Sequence, residues 1–166
     1  TYKNYTLYVI DNCSTDNTAK LMETYTSSQL TYIKNKTNLG FIGNLNKALQ
    51  TGSSDLFQIF HDDDILEPDF LDCAVTFFDK FNDTAFVHTG AYIINEKNEL
   101  VKRHIKDYPS SISGDEFFEN HLKNPTSIIC PSVVFNRLKI SDKILFNNNT
   151  QFTADVVFFI LCSNYG

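Results

Sequence analysis

The 166 residues fit a single domain, and 42% hydrophobic residues with 15 Phe suffice for a sizeable core. The formal net charge is −6 without a Lys/Arg cluster, and no run approaches the roughly 18 apolar residues that span a bilayer, so neither nucleic acid binding nor a transmembrane segment is indicated. Four widely spaced cysteines without a C-x-x-C pair argue against a zinc site or a disulfide framework and favour a reducing cytoplasm.

Alternating strand and helix patterns fill the first half of the chain. Strands are predicted at 5–10, 30–33 and 56–60. The last is apolar or aromatic except for Gln58 and contains no Gly or Pro, so it is expected to be buried. A helix pattern follows each strand. The first helix has Ala19, Met22 and Tyr25 on its face, and its cap is Ser14, Thr15 or Asp16. The second and third helices are predicted at 44–50 and 67–81. This β-α-β-α-β-α order predicts an α/β layer fold with a largely parallel sheet.

The second half of the chain predicts a different set of elements. They are a hairpin with strands at 85–94 and 100–105, a capped helix at 111–122, an apolar segment at 127–135 and a helix at 151–163. The last helix is apolar all round after Asp155, which predicts nearly complete burial. Because the chain has no internal repeat or linker, residues 1–166 are expected to form one domain.

Three consecutive carboxylates, Asp62, Asp63 and Asp64, directly follow the third predicted strand. In open α/β sheets, ligands bind at the carboxyl ends of strands. Adjacent carboxylates repel one another unless a cation lies among them, and Mg²⁺ or Mn²⁺ prefers such oxygen ligands and completes its shell with phosphate oxygens and water. The acidic run by itself fits equally well a solvated turn, with Asp69 capping the next helix.

Four polar segments occur in a fixed order along the chain. They are Asp11-Asn12 after the first strand, Asn38-Leu39-Gly40 before the second helix, the run from His61 to Asp64, and Asp155 at the start of the last helix. Together they resemble the nucleotide-sugar-dependent glycosyltransferases of the GT-A fold, specifically the inverting family 2. VIDNCSTDNT is similar to that family's VVDDGSTDGT, NLGFIGNLNKAL to its N-x-G loop and helix, FHDDDILEPDFL to its D-x-D region, and ADVVFF to its late segment with the catalytic base.

This resemblance implies a GT-A, Rossmann-like fold with a mixed, mostly parallel sheet flanked by helices. It also implies a role for each matching residue. Asp63 would be the direct metal ligand with Asp64 in support, Asp62 would lie near the ribose and the metal, Asp11 and Asn12 would face the nucleoside, Asn38 and Gly40 would form the donor loop, and Asp155 would be the general base. The simpler alternatives are turn positions for Asp11 and Asn38, a helix-terminal acid for Asp155, and a strand-end residue for His61, which we favour.

The implied reaction moves a sugar from a nucleoside diphosphate donor to a hydroxyl acceptor. A UDP-sugar is the favoured donor, Mn²⁺ or Mg²⁺ the cofactor, and a glycan or lipid-linked precursor in surface polysaccharide or glycolipid synthesis the acceptor. The expected location is the cytoplasm, or the inner face of the membrane if the acceptor is lipid-linked. No basic amphipathic helix indicates membrane association, and the oligomeric state stays open.

Three features depart from the family pattern. The family's first strand, which lies in the middle of its sheet, has no counterpart. The chain also stops soon after Asp155, before the elements that usually complete the family's acceptor site, so the domain is expected to be incomplete at both ends. Leu45 stands where a basic residue is common, and Ala154 where an acid is common. Two alternatives therefore stay open: a sugar nucleotidyltransferase, which would normally show a Gly-rich phosphate loop, and a non-catalytic nucleotide-sugar-binding module of the same fold.

Overall fold

The computed structural model describes residues 1–105, 109–125, 128–150 and 153–165. The first half contains β1 (Leu7–Asp11), α1 (Thr18–Met22), β2 (Leu30–Lys34), α2 (Gly40–Leu49), β3 (Leu56–Gln58) and α3 (Phe70–Lys80). The second half contains β4 (Phe86–His88), β5 (Ala91–Ile94), β6 (Leu100–His104), α4 (Gly114–Lys123), a 3₁₀ turn (Cys130–Ser132), β7 (Val133–Asn136) and α5 (Ala154–Ser163). The starts of the predicted segments at 127–135 and 151–163 lie outside the described residues.

The strands form three small sheets. β1 and β2 pair in parallel, as expected, with Asp11 opposite Lys34 at their carboxyl ends. β7 lies between β3 and β4 and runs antiparallel to both, and β5 and β6 form an antiparallel hairpin. The α/β class is confirmed, but the prediction of a mostly parallel sheet is wrong for the described strands. The reason is that β7, which is far from β3 and β4 in sequence, lies between them and runs in the opposite direction to both.

The predicted strand at 85–94 is divided into two. β4 pairs with β7, and the Thr89 N–H extends that contact to the Ser132 carbonyl at 3.1 Å. The chain then leaves this sheet, and β5 pairs with β6 as the predicted hairpin. The hairpin is therefore confirmed, but its first strand begins only at Ala91.

Helix α2 begins at Gly40, earlier than the predicted 44–50. The side-chain oxygen of Asn12 accepts from the Leu39 N–H at 2.8 Å, and that of Asn38 accepts from the Gly40 N–H at 2.8 Å. These bonds occupy N–H groups that a helix start leaves without an internal partner. Gly40 has a φ of +71°, a left-handed conformation that a residue with a side chain rarely adopts.

An aromatic core fixes the position of α5. Phe135 of β7 stacks on Phe57 of β3 with ring centroids 5.1 Å apart and meets Phe158 of α5 edge-on at 5.4 Å. Phe146, which precedes α5, stacks on Phe158 at 4.3 Å. Burial of such a ring contributes about 1.5–3 kcal/mol, so these contacts hold the first turns of α5 firmly against the sheet.

Helix α5 is largely buried, as predicted, but not on every face. Its buried residues are Ala154, Phe158, Phe159, Cys162 and Ser163, which lie on one face of the helix. Leu161 on another face is 38% exposed. The apolar surface of α5 therefore extends beyond the face that packs against the described residues. Within the described ranges, no helix combines the length and apolar composition needed to cross a membrane.

Candidate functional site

A tight turn brings together three potential metal ligands after β3. The Asp64 N–H donates to the His61 carbonyl at 3.4 Å and closes the turn. One ligand atom from each of His61, Asp63 and Asp64 lies within 4.8 Å of the others. The His61 Nδ1 lies 3.8 Å from the Asp64 Oδ2. The turn therefore places potential ligand atoms of three closely spaced residues in one compact group.

The membership of this group differs in two ways from the sequence interpretation. Asp63 and Asp64 were predicted at the metal, and the structure brings them together. Asp62, at the second position of the turn, does not join the compact group found among the described residues. His61, which we interpreted as a strand-end residue, does join it. The i, i+2 spacing of His61 and Asp63, the same as in D-x-D, was the signal that could have identified it.

These residues fit a divalent metal ion. Two carboxylates and an imidazole form a donor set that suits Mn²⁺ and related ions. The His61 Nε2 is buried and has no hydrogen-bond partner in the described part of the chain. A buried polar atom left in this way calls for a partner, which ligation through Nε2 would supply.

Asp11 lies buried at the end of β1, and its carboxylate is engaged by the protein itself. Its Oδ1 accepts from the Ser14 N–H at 2.7 Å, and its Oδ2 accepts from the Tyr32 hydroxyl. Burial raises the pKa of Asp11, but these hydrogen bonds and the nearby Lys34 charge outweigh burial and leave the pKa below its ordinary 3.8. In this geometry Asp11 supports the loop from 11 to 14; its predicted contact with the nucleoside stays a prediction.

The predicted donor-loop residues form one amide network. The Asn12 Nδ2 donates to the Asn38 Oδ1 at 2.9 Å and to the Gly40 carbonyl at 3.2 Å. Asn35, buried behind them, donates to the Asn44 Oδ1 at 2.9 Å. The structure brings these two segments together and uses the Asn12 side chain to hold the loop, and the predicted contact of these residues with the donor stays a prediction.

A cavity of about 710 Å³ joins α2, the His61 turn and α5. Its lining residues include Leu39, Gly40, Phe41, Leu45, His61, Cys130, Phe146, Asn148 and Asp155. Leu45, which replaces the family's common basic residue, is 9% exposed and belongs to its apolar wall. A group from the predicted metal site and the predicted base therefore face one space.

Asp155 lies at the cavity because packing of the neighbouring residues of α5 fixes the start of this helix. Ala154 is 2% exposed and Phe158 is 1% exposed, so the first turn of α5 is fixed by packing. The Asp155 Oδ1 accepts from the Val156 N–H at 2.9 Å, which orients the carboxylate. Among the described residues, no hydrogen bond occupies its Oδ2, so this oxygen is available to accept a proton.

A buried histidine of α4, His121, lies close enough to Asp155 for the carboxylate charge to act on its ring. His121 is fully buried and stacks on Phe117 at 5.0 Å. Burial lowers its pKa, and the charges of Asp155 and His88 act on it in opposite directions. The His121 ring therefore favours the neutral state and packs in this part of the core as an uncharged aromatic side chain.

Comparisons with known proteins identify the family of this chain. Residues 1–145 match the family described as glycosyl transferase family 2. The chain belongs to glycosyl transferase family 2. The family match includes β1 to β7, the loop at 38–40 and the turn at 61–64, whereas Asp155 on α5 lies beyond it.

Relatives of this family 2 chain come from archaea and bacteria. An uncharacterized glycosyltransferase of Methanocaldococcus jannaschii is 24% identical over 149 residues, which cover 88% of this chain and 51% of the relative. One of Haemophilus influenzae is 28% identical over 177 residues, covering 100% of this chain and 53% of the relative. EpsE of Bacillus subtilis is 32% identical over 98 residues, covering 57% of this chain and 35% of the relative. The family 2 chain thus spans about half the length of the first two.

Proposed function

We propose that this chain is the donor-binding and catalytic part of a metal-dependent, inverting glycosyltransferase. The observation that carries the proposal is the shared cavity, which His61 of the metal-ligand turn and Asp155 of α5 both line. Sugar transfer needs a charged diphosphate and a proton acceptor on opposite sides of one sugar. A cavity between a carboxylate-rich turn and a separately anchored carboxylate suits that requirement.

The donor side of the site consists of the turn and the amide-held loop. Family 2 enzymes generally use nucleotide-sugar donors and a divalent metal, and a UDP-sugar with Mn²⁺ or Mg²⁺ is our choice here. Asp63 and Asp64 would hold the ion, which would supply positive charge to neutralise the diphosphate as a leaving group. Asn12 and Asn38 keep the start of α2 in place at the cavity wall, with Gly40 in its left-handed conformation.

Asp155 is the proposed general base. Its Oδ2 takes the proton of the acceptor hydroxyl while the hydroxyl oxygen bonds to the anomeric carbon of the sugar. The bond from that carbon to the diphosphate oxygen breaks, and the nucleoside diphosphate leaves with the electron pair. Because the attacking oxygen enters opposite the leaving group, the anomeric configuration inverts.

The proposed acceptor is a hydroxyl of a surface glycan or of a lipid-linked precursor, in the synthesis of polysaccharide or glycolipid. Such a precursor would bring the enzyme to the inner face of the membrane. The mostly apolar wall formed by Phe41, Leu45 and Phe146 is compatible with the ring faces of a sugar.

Thermal unfolding with UDP or GDP, each with and without Mn²⁺, tests the donor site. We expect one nucleotide to raise the melting temperature only with Mn²⁺, and we expect Asp63→Ala to lose this rise. Asp79→Ala, which removes an exposed acid of α3, is the matched control and should behave as wild type. An undiminished rise in Asp63→Ala would overturn the metal assignment, and no rise with either nucleotide would contradict donor binding.

Product analysis on the full-length protein separates the alternatives. Acceptor-dependent release of a nucleoside diphosphate from a nucleotide sugar supports glycosyl transfer. Release of pyrophosphate from a nucleoside triphosphate would instead identify a nucleotidyltransferase. Nucleotide binding without any turnover would identify a binding module.

A further inference from the structure

The hairpin formed by β5 and β6 exposes apolar side chains on one of its faces. Tyr92 is paired with Arg103, and Ile94 is paired with Leu100. Because directly paired residues point to the same face of a sheet, these four side chains share one face. Tyr92 is 52% exposed, Ile94 40% and Leu100 54%. This hairpin face is therefore an apolar surface that the described residues leave open to solvent.

The backbone of the hairpin is also incompletely paired. β5 and β6 form a sheet of two strands, and an isolated pair of strands is only marginally stable in water. Each strand has an outer edge whose N–H and C=O groups can bind a further strand. Within the described ranges, no backbone hydrogen bond reaches residues 91–94 from outside the hairpin. A strand added along β5 would supply both hydrogen bonds and apolar contacts.

The two outer edges differ in their protection against such pairing. β6 carries the positive charges of Lys102 and Arg103, and its register shifts at Val101, which has no opposite residue on β5. Charged side chains and bulges are two devices by which natural edge strands avoid pairing with another chain. β5 (Ala91–Ile94) contains no charged residue and no proline. The unprotected edge of this sheet is therefore β5.

A second copy of the chain fits the edge of β5. Two copies of this strand related by a two-fold axis run antiparallel, and a register centred on Ile93 places Tyr92 of each copy opposite Ile94 of the other. Aromatic and β-branched side chains form favourable cross-strand pairs. No like charges meet in this arrangement, because β5 is uncharged. The same operation centred on β6 would place Lys102 opposite its own copy.

An anionic lipid surface suits the hairpin less well. The turn between the two strands carries Glu96 and Glu99, both exposed, and the chain has a formal net charge of −6. Anionic lipids attract basic segments and repel acidic ones. The charge distribution therefore favours a second copy, which pairs through the uncharged strand, over a membrane.

We propose that two copies of this protein form a two-fold dimer in which their β5 strands pair and the two hairpins become one four-stranded sheet, in the order β6-β5-β5-β6. No described residue of the hairpin lines the cavity of Asp155, so this interface is separate from the proposed catalytic site. Such an interface is small beside that of a permanent dimer, and we expect a dissociation constant in the micromolar range.

Sedimentation velocity of the full-length protein over a series of concentrations tests the proposal. Ile93→Lys places two ammonium groups opposite each other at the two-fold axis, and Ile93→Glu places two carboxylates there. Val101→Lys is the matched control, because it adds the same charge at a position of β6 that is 64% exposed and lies away from the edge of β5. Circular dichroism and thermal unfolding show that each variant is folded.

We expect wild type and Val101→Lys to dimerise with similar affinity, and each Ile93 variant alone to dimerise at least about tenfold more weakly. An equimolar mixture of the two Ile93 variants should recover the dimer, since opposite charges then meet at the axis.

A wild-type protein that stays monomeric at about 100 μM would overturn the proposal. Dimers that neither Ile93 variant weakens, or that Val101→Lys weakens equally, would place the interface elsewhere and overturn it as well. Failure of the mixed variants to recover the dimer would refute the pairing centred on Ile93. None of these results bears on nucleotide binding, so the proposed function is tested independently.

Discussion

Asn46 and Phe146, one hundred residues apart, are joined by a pair of hydrogen bonds. The Asn46 Nδ2 donates to the Phe146 carbonyl at 3.0 Å, and its Oδ1 accepts from the Phe146 N–H at 2.8 Å. The Asn46 amide thus replaces a strand neighbour for Phe146. It fixes the segment before α5 to α2, and both segments line the cavity through Leu45 and Phe146.

Replacing Asn46 by Ala should therefore destabilise the fold and loosen the cavity. Both backbone groups of Phe146 lose their partner, and leaving such groups unsatisfied costs about 1–3 kcal/mol. Urea unfolding at pH 7 measures the change. Lys47→Ala, one position further on the same helix and exposed, should lie within about 0.5 kcal/mol of wild type. Equal stability of the two variants would contradict the role given to the Asn46 amide.

Tyr32→Phe tests the hydrogen bond that Asp11 receives at the end of β1. The pKa of Asp11 lies below 3.8 in the folded protein, so its contribution to stability is present above that pH and is lost as the pH falls through the folded value. The same bond raises the pKa of Tyr32 to about 12, so the tyrosine's contribution is present below its ordinary 10 and is lost as the pH rises toward 12.

The variant should consequently unfold at a lower temperature than wild type at neutral pH, and this difference should shrink at both pH extremes. Thermal unfolding followed by circular dichroism across this range provides the measurement. Tyr92→Phe is the control because Tyr92, on the exposed hairpin, is 52% exposed. A difference that stays constant with pH would show that the Tyr32 hydroxyl does not act through Asp11.

Arg137 connects the end of α2 with the approach to β3, and its replacement by Lys should be costly. Its guanidinium donates to the Ser54 carbonyl at 3.1 Å and the Leu49 carbonyl at 3.0 Å, and it lies 4.5 Å from the ring centre of Phe57. A lysine cannot reproduce this fork, so we expect a loss of about 1–3 kcal/mol in urea unfolding. Arg103→Lys on the exposed hairpin should cost clearly less. Similar losses in the two variants would refute the connecting role.

The sequence predicted the α/β class and most elements because local patterns determine them. Apolar and aromatic runs located β1 and β2, and the period-3.6 pattern located α3, each within a few residues. The start of α2 at Gly40 could not be predicted in this way, because it depends on the Asn12 side chain, which is 28 residues away from Gly40. The antiparallel position of β7 between β3 and β4 is likewise a long-range result.

The candidate site was predicted in its composition but not in its geometry. The acidic run indicated a metal site, and Asp63 and Asp64 lie in the compact donor group. The sequence could not show that a turn would exclude Asp62 and include His61, because this depends on the hydrogen bond that closes the turn. Nor could it show that Asp11 would be buried with both carboxylate oxygens engaged, since Tyr32 comes from the neighbouring strand.

The role of Asp155 leads to the sharpest catalytic prediction. Asp155→Asn keeps the shape of the side chain and an oxygen that can accept from the Val156 N–H, but the amide cannot take up a proton. We expect kcat for sugar transfer to fall by about 100-fold or more, as for loss of a general base, with little change in the affinity for the donor nucleotide. Steady-state transfer kinetics on the full-length protein and nucleotide-dependent thermal shifts provide the two measurements.

Asp72→Asn is the matched control, because Asp72 also lies in the first turn of a helix, α3, and is exposed away from the cavity. If Asp155 only served its helix as an N-terminal acid, both variants would lose a similar small amount of stability and keep their kcat. A large loss of kcat in Asp155→Asn alone, at unchanged donor affinity, identifies the base. Wild-type turnover in Asp155→Asn would remove Asp155 from that role, even with the donor site intact.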